Sequence, residues 1–200
     1  MQDNAIITGP IVKEFSLKRG AELGVKKGAL TKALLHLVQD LNMVCVDMWK
    51  EHANIADTYN HKNNYTAFVD NMKPYMDRIR IHRDLTTEAH KHIIDESLDF
   101  IYIDASRTYD SFSADYDAWI SKVKPGGMIM GRGYSATIDK GGLVRAINDK
   151  VGIATSLEYS KEPAFTIESL VAHLRNNTAS GIADKQSGSW YCWKRHVITK

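Results

Sequence analysis

The sequence predicts an α/β protein with one doubly wound, mostly parallel sheet, helices on both faces and an antiparallel hairpin near its C-terminal end. Short runs of consecutive apolar residues, typical of strands covered on both faces, alternate with stretches whose apolar residues recur every three or four positions, typical of amphipathic helices. The connections are short, as in βαβ units with right-handed crossovers. A length of 200 residues fits a single domain spanning 1–200.

The parallel part of the sheet is predicted from five short apolar runs, at residues 20–25, 43–46, 80–83, 99–103 and 128–130. Three amphipathic patterns are the predicted helices, at residues 30–41, 109–123 and 143–151. Pro125-Gly126-Gly127 is expected to stop the second helix, because proline and glycine are the poorest helix formers. A lead-in segment, 1–18, precedes the first strand.

The C-terminal part is predicted to hold the antiparallel hairpin, with strands at residues 153–159 and 190–198. Between them lies an insertion, 161–188, which we interpret as a helix followed by a polar loop. The loop begins at Asn176, where the sequence turns to small and polar residues.

Charge and cysteine content argue against several function classes. Lys and Arg number 26 and Asp and Glu 24, so the net charge of +2 gives no overall attraction to nucleic acid or anionic membrane. Cys45 and Cys192 are too few for a disulfide framework or a four-ligand zinc site. No apolar run approaches the roughly 20 residues of a membrane span, and the first residues lack a secretion signal. We therefore expect a cytoplasmic protein without nucleic-acid or membrane partners.

The turn after the first strand, from Glu22 to Thr31, has the composition of a ligand site. Glycine at 24 would let a ligand approach the backbone, and glycine at 28 would let the helix start close to the strand. The G-x-G-x-x-G of nicotinamide sites is incomplete here, and the Glu22 carboxylate would repel a pyrophosphate but attract an ammonium group. A tight turn without a ligand explains the two glycines equally well.

An acidic residue follows each of three further strands, at the edge where doubly wound sheets bind ligands. Asp47, about 20 residues after the glycine turn, is placed to hold both hydroxyls of a ribose. Asp84 is placed either to accept a hydrogen bond from an adenine amino group or to cap the next helix. Asp104 follows a strand that reads as buried, so we expect it close to the reacting centre.

These stretches resemble the class I S-adenosylmethionine-dependent methyltransferases, and among them a small-molecule O-methyltransferase branch that includes the macrocin-type sugar O-methyltransferases. The resemblance spans residues 19–151 and rests on Glu22 to Thr31, on Asp47-Met48-Trp49, on residues 98–134 and on a tryptophan-rich last strand. It implies a Rossmann-like methyltransferase fold with S-adenosylmethionine as cofactor. It also implies methyl transfer to an oxygen, or less often a nitrogen, of a small molecule.

The resemblance further implies which residues bind the cofactor. Glu22 and Gly24 would meet its methionine end, Asp47 its ribose, and Asp84 with Leu85 its adenine. The other implied contacts lie in the same stretches, at Leu23, Gly28, Thr31, Met48, Trp49, Asp104 and Ala105.

Two departures from the branch concern catalysis. Where the branch has the histidine of I-D-x-x-H-x-Y and paired acids after P-G-G, this chain has Arg107 and Arg132-Gly133. Arginine stays protonated and can be neither a base nor a metal ligand. The one remaining acid provides too few oxygen ligands for an octahedral magnesium ion. We therefore predict no metal, with Asp104 as base or substrate anchor and Tyr109 and Tyr134 as alternative contacts.

The two arginines also bear on the acceptor. A cation at the start of the helix after Arg107 is unfavourable unless an anion compensates, so one interpretation is an acceptor carboxylate or phosphate held by Arg107, Arg132 or both. The other is that both side chains extend into solvent or pair with Asp110 or Asp104.

Two further functions stay open at this point. A catalytically silent S-adenosylmethionine-binding protein would keep the fold and lose the catalytic groups. An NAD-dependent oxidoreductase fits Asp47 but not the altered glycine pattern.

Overall fold

The structure is a computed structural model that describes residues 3–50, 61–134, 141–152, 171–172, 174–175, 181–184 and 188–194. Seven strands in this part of the chain pair into one sheet. The strands are β1 Arg19–Leu23, β2 Asn42–Val46, β3 Ile79–His82, β4 Leu98–Ile103, β5 Val123–Gly131, β6 Gly181–Asp184 and β7 Ser189–Trp193. The helices are α1 Asp3–Glu14, α2 Ala29–Leu37, α3 His61–Met72, α4 Thr86–Ala89, α5 Tyr109–Trp119 and α6 Leu143–Val151.

The sheet order is β3-β2-β1-β4-β5-β7-β6, which confirms the predicted doubly wound architecture. Strands β1 to β5 run parallel to one another, whereas β7 is antiparallel to both β5 and β6. The order reverses between β1 and β4, and ligands of such sheets bind at the carboxyl ends on either side of this reversal. The topology therefore places the predicted site at the ends of β1, β2 and β4.

Helices cover both faces of the sheet, because its strands are apolar on both sides. On one face Leu34 of α2 and Phe68 of α3 are buried with Phe100 of β4. On the other, Phe112 and Trp119 of α5 are buried with strand residues that include Leu23 and Ile103. The lead-in segment contains α1, whose buried Ile11 and Val12 join the first of these clusters. The assignment of residues 1–200 to one domain stays a prediction.

Pro125-Gly126-Gly127 lies inside β5, so the prediction that this strand begins at Met128 is wrong at its start. Helix α5 already ends at Trp119, and a 3-10 turn at Ile120–Lys122 leads into the strand. The register shifts here, because Leu98 pairs with Val123 whereas Phe100 pairs with Met128. Proline has no N–H to donate and Gly126 has a φ of 74°, so the three residues form an irregularity that the strand tolerates.

The antiparallel hairpin is present, but its first strand is β6 rather than residues 153–159, which lie outside the described residues. β6 falls within the predicted polar loop, and that part of the loop prediction is wrong. β6 pairs with β7 alone at the edge of the sheet, where short strands of low apolar content are typical. Residues 171, 172, 174 and 175 are helical, as predicted for the insertion. None of the helices described is long and apolar enough to cross a membrane.

Candidate active site

The carboxyl ends of β1, β2 and β4 are held side by side by backbone hydrogen bonds. The N–H of Gly24, just after β1, donates to Val46 O of β2 at 2.9 Å. The N–H of Asp104, just after β4, donates to Leu23 O of β1 at 2.9 Å. Gly24 therefore lies between the segments that carry Asp47 and Asp104, and the structure brings three predicted site positions together.

Gly24 is required by the close approach of the chain after β4. Its φ is 89°, in the left-handed region, and a Cβ there would lie 2.5 Å from Asp104 O and 2.7 Å from Ala105 Cα. An alanine would therefore clash with backbone as well as strain the turn. The glycine thus fixes how closely the loops after β1 and β4 approach each other.

The carboxylate of Asp47 ties the loop after β1 to the loop after β2. Its Oδ2 accepts from Lys26 N at 2.8 Å, and its Oδ1 accepts from Trp49 N at 3.0 Å. Asp47 is half-buried, as a residue at the mouth of a cleft would be.

Trp49 packs beneath these loops. Its side chain is buried, its indole N–H donates to Lys26 O at 2.6 Å, and its ring lies 4.7 Å from the ring of Phe68 of α3. Gly28 has the same neighbour, since a Cβ there would lie 2.9 Å from the Phe68 ring. Trp49 and Gly28 therefore pack against α3 and support the loops after β1 and β2. Contact of either residue with the cofactor stays a prediction.

Glu22 of β1 caps helix α2 from inside the protein. Its Oε2 accepts from Thr31 N at 3.1 Å and from the Thr31 hydroxyl, and Thr31 is the third residue of α2. These bonds satisfy a free N–H of the first helical turn. Burial raises the pKa of Glu22 to about 8, although the hydrogen bonds from Thr31 oppose the shift. The carboxyl group is therefore mostly protonated at neutral pH.

Tyr102 is a buried polar residue next to Glu22 that sequence analysis did not single out. Glu22 is in register with Tyr102 of β4, whose hydroxyl is buried without a hydrogen-bond partner in the part of the chain described. Burial, and then the charge of Asp104, raise the pKa of Tyr102. The alternation of side chains along β4 could have found it, because Tyr102 precedes Asp104 by two residues and so shares its face.

Asp104 forms an ion pair with each of two arginine side chains, so the interpretation in which Arg107 and Arg132 pair with Asp104 is confirmed. Its Oδ1 is 3.9 Å from Arg107 Nη2, and its Oδ2 is 3.7 Å from Arg132 Nη1. Burial raises the pKa of Asp104 to about 6, and the charges of Arg132, Arg107 and Lys26 oppose this shift. The group is therefore ionised at neutral pH, yet its pKa is close enough to neutrality to suit a general base.

The hydroxyls of Tyr109 and Tyr134 are both bound to helix α6. Tyr109 Oη donates to Asp149 Oδ2 at 2.9 Å, and Tyr134 Oη donates to Asn148 Oδ1 at 2.8 Å. Arg145, also of α6, lies over the Tyr109 ring at 4.5 Å. These contacts fix the loops after β4 and β5 against α6, and a substrate contact by either tyrosine stays a prediction.

Asp84 follows β3 and binds its own neighbour. Its Oδ1 accepts from Leu85 N at 2.8 Å, and α4 begins one residue later at Thr86. Leu85, not Asp84, occupies the N-cap position, so the alternative in which Asp84 is the N-cap of α4 is wrong. The adenine alternative stays a prediction. In the segments that the structure describes, no group of three His, Cys, Asp or Glu side chains could hold a metal ion.

The chain has a Rossmann-like methyltransferase fold, which solved structures of methyltransferases share. The O-methyltransferase from Bacillus cereus in complex with S-adenosylhomocysteine is similar with a TM-score of 0.58 and 16% identity, over 74% of this chain and 67% of that chain. An O-methyltransferase family protein from Burkholderia thailandensis has a TM-score of 0.58 and 11% identity, over 97% of this chain and 56% of its own. The tRNA (m1A58) methyltransferase from Aquifex aeolicus has a TM-score of 0.53 and 12% identity, over 76% and 52%.

The family follows from the sequence itself. Residues 21–131, just over half of the chain, match the family model described as a methyltransferase domain. The chain belongs to this methyltransferase-domain family. No curated protein matches the chain. The narrower resemblance to macrocin-type enzymes stays a prediction.

Proposed function

We propose that this methyltransferase transfers the methyl group of S-adenosylmethionine to an oxygen of a small-molecule acceptor, with Asp104 as the general base. The observation that carries the proposal is the position of Asp104. Asp104 directly follows β4, next to the turn after β1. Its side chain is 22% exposed, and burial raises its pKa to about 6. A hydroxyl acceptor must lose a proton when it is methylated, and in this proposal Asp104 takes it.

The residues present fit S-adenosylmethionine, the cofactor that this class of fold implies. The ligand carries two ribose hydroxyls, and the Asp47 carboxylate lies after β2, beside the glycine turn after β1. Asp47 would hold the ribose, Glu22 and Gly24 would lie at the methionine end, and Asp84 with Leu85 would lie at the adenine. When bound, the cofactor supplies a methyl group already activated by its sulfonium.

The chain then has to orient the acceptor and move one proton. Asp104 accepts the proton of the acceptor hydroxyl on a carboxylate oxygen, while Arg107 and Arg132 keep the carboxylate ionised at neutral pH. Burial of the site favours the transfer, because a base withdrawn from water is more basic than one in solution. Holding the hydroxyl in line with the methyl group contributes several further kcal/mol.

Binding of the cofactor to the full chain tests the proposal directly. Isothermal titration with S-adenosylmethionine, S-adenosylhomocysteine and NAD is expected to show binding of the first two, on the order of micromolar, and none of NAD. Transfer of labelled methyl from S-adenosylmethionine to a panel of hydroxylated acceptors then tests turnover. Binding of NAD in preference to both would overturn the proposal, and binding without turnover of any acceptor would leave a silent binding protein.

Replacement of Asp47 by alanine should weaken S-adenosylhomocysteine binding by about 1 to 3 kcal/mol, the usual effect of losing hydrogen bonds to a charged group. Asp40→Ala is the matched control, since Asp40 is an exposed acid whose side chain pairs with Lys18. Because Asp47 also ties two loops, thermal unfolding of both variants should accompany the titration. An unchanged affinity in Asp47→Ala would remove this residue from the cofactor site.

Methyl transfer is expected to survive EDTA. Asp104 is flanked by two arginines, whose positive charges oppose a divalent cation at this carboxylate. The measurement is the initial rate of methyl transfer before and after dialysis against chelator, with magnesium added back. Loss of the rate with rescue by magnesium would show that this prediction is wrong.

A further inference from the structure

We infer that the acceptor carries a carboxylate or phosphate close to its reacting hydroxyl, and that Arg107 and Arg132 bind this anionic group. The inference rests on the proposed function and adds the chemical class of the substrate. It is carried by the geometry of the two guanidinium groups around Asp104.

Neither guanidinium group forms a hydrogen bond with Asp104. The nearest N···O distances, 3.9 Å for Arg107 and 3.7 Å for Arg132, exceed hydrogen-bond length. Arg132 Nε is in addition buried without a hydrogen-bond partner among the described residues. The N–H groups of the two guanidinium groups that do not hydrogen-bond to Asp104 can therefore donate to an anion on a ligand.

The local charge favours an anion. Two guanidinium groups face the single carboxylate of Asp104. An anion on the acceptor would pair with the second positive charge. The two side chains also remain accessible, with 50% of Arg107 and 31% of Arg132 exposed.

The chain holds both arginines in place from its backbone. Thr108 and Gly142 form an isolated β-bridge, and Tyr109 N donates to Gly141 O at 2.7 Å, which anchors the loop that carries Arg107. Gly133 follows Arg132 with a φ of 90°, and a Cβ there would lie 3.8 Å from Arg107 Nε. The loops after β4 and β5 therefore meet where the two guanidinium groups approach Asp104.

These distances limit the acceptor. Both guanidinium nitrogens lie within 4 Å of the carboxylate oxygens that would take the proton. A hydroxyl hydrogen-bonded to Asp104 and an anion hydrogen-bonded to an arginine can therefore belong to one small acceptor. Hydroxy acids and compounds with a phosphate beside a hydroxyl satisfy this condition. The planar fork of arginine suits both anions.

The test measures binding of matched probes to the full chain saturated with S-adenosylhomocysteine. The probes are salicylate and lactate, each compared with its uncharged amide, salicylamide and lactamide. Isothermal titration is expected to show that each acid binds at least about tenfold more tightly than its amide, as for a charge-assisted contact. Arg107→Gln and Arg132→Gln should each reduce this preference about tenfold or more, and leave the affinity for the amides unchanged.

Three controls keep the outcomes distinct. Arg107→Lys and Arg132→Lys keep the charge but lose the fork, and should fall between the wild type and the glutamine variants. Arg19→Gln, an exposed arginine at the opposite end of β1, should bind the acids as the wild type does. Thermal unfolding identifies any variant that fails to fold, in which case the lysine variants decide.

Each result supports or overturns the inference. If S-adenosylhomocysteine does not bind the wild type, the proposed function itself fails. If it binds but acids and amides bind equally, or neither binds at millimolar concentration, only this inference is overturned. If the arginine variants lose affinity for S-adenosylhomocysteine as strongly as for the acids, the arginines belong to the cofactor site and the inference is also wrong.

Discussion

Asp104→Asn is expected to lower the rate constant for methyl transfer by about 10²- to 10⁴-fold, the usual contribution of a general base. Asparagine keeps the shape of the side chain and can still accept a hydrogen bond, but it cannot take the proton of the acceptor hydroxyl. The affinity for S-adenosylhomocysteine should change little, because the proposed role of Asp104 is with the acceptor. The measurement is the initial rate of labelled methyl transfer at saturating cofactor.

The pH dependence of the same rate provides an independent readout. Below the pKa of Asp104, about 6, the carboxyl is protonated and cannot act as base, so kcat/KM should rise with pH and level off above neutrality. Asp115→Asn is the matched control, because burial also raises the pKa of Asp115 to about 6 but its carboxylate binds the Thr86 hydroxyl. A wild-type rate of methyl transfer in Asp104→Asn would contradict the role of Asp104 as general base. So would a shift, in Asp115→Asn, of the pH below which kcat/KM falls.

The strand ends were the part of the site that sequence could predict. Asp47 and Asp104 each follow a short apolar run, and the carboxyl ends of parallel strands lie at one edge, so the topology alone brings them together. Arg107 and Arg132 also follow strand ends, β4 and β5, and both pair with Asp104, which was one of the two interpretations of these residues. Local pattern and chain order suffice for these residues because each is positioned by the strand directly before it.

The contacts across the chain were not predictable in this way. Glu22 reads as a residue aimed at a ligand, but its Oε2 is bound to Thr31, nine positions away on α2. Trp49 lies in a stretch that the resemblance assigns to the cofactor, yet its indole is buried against Phe68 of α3. Both contacts depend on how helices pack on the sheet, and the sequence around neither residue records that packing.

Two elements were misplaced for a related reason. Pro125-Gly126-Gly127 has the composition of a stop signal, but the pairing of Val123 with Leu98 extends β5 across it. β6 has a sequence typical of a loop and becomes a strand because β7 offers it a pairing edge. In both cases the partner strand decides the conformation, which outweighs the local propensity of glycine and proline.

Glu22→Gln is expected to make the stability of the protein less sensitive to pH between 7 and 8. The pKa of Glu22 is raised to about 8 in the folded chain, above its ordinary value of 4.5, so the native state keeps a proton that the unfolded chain has lost. Stability therefore falls as the pH rises through this window, because deprotonation leaves a buried charge. For a folded pKa near 8, the wild type should lose about 1 kcal/mol of unfolding free energy from pH 7 to pH 8.

The window isolates Glu22 from the other shifted groups. Asp104 and Asp115, with pKa values of about 6, have largely titrated below pH 7, and the lowered pKa of His82 acts mainly below pH 7 as well. Cys45 stays mostly protonated in the unfolded chain up to pH 8. Glutamine is neutral and can still accept the hydrogen bonds from Thr31, so urea unfolding of Glu22→Gln should give nearly equal free energies at both pH values. Asp115→Asn, which removes a different buried acid, should keep the wild-type difference. The same difference in Glu22→Gln as in the wild type would show that Glu22 does not titrate in this window, and the prediction would be wrong.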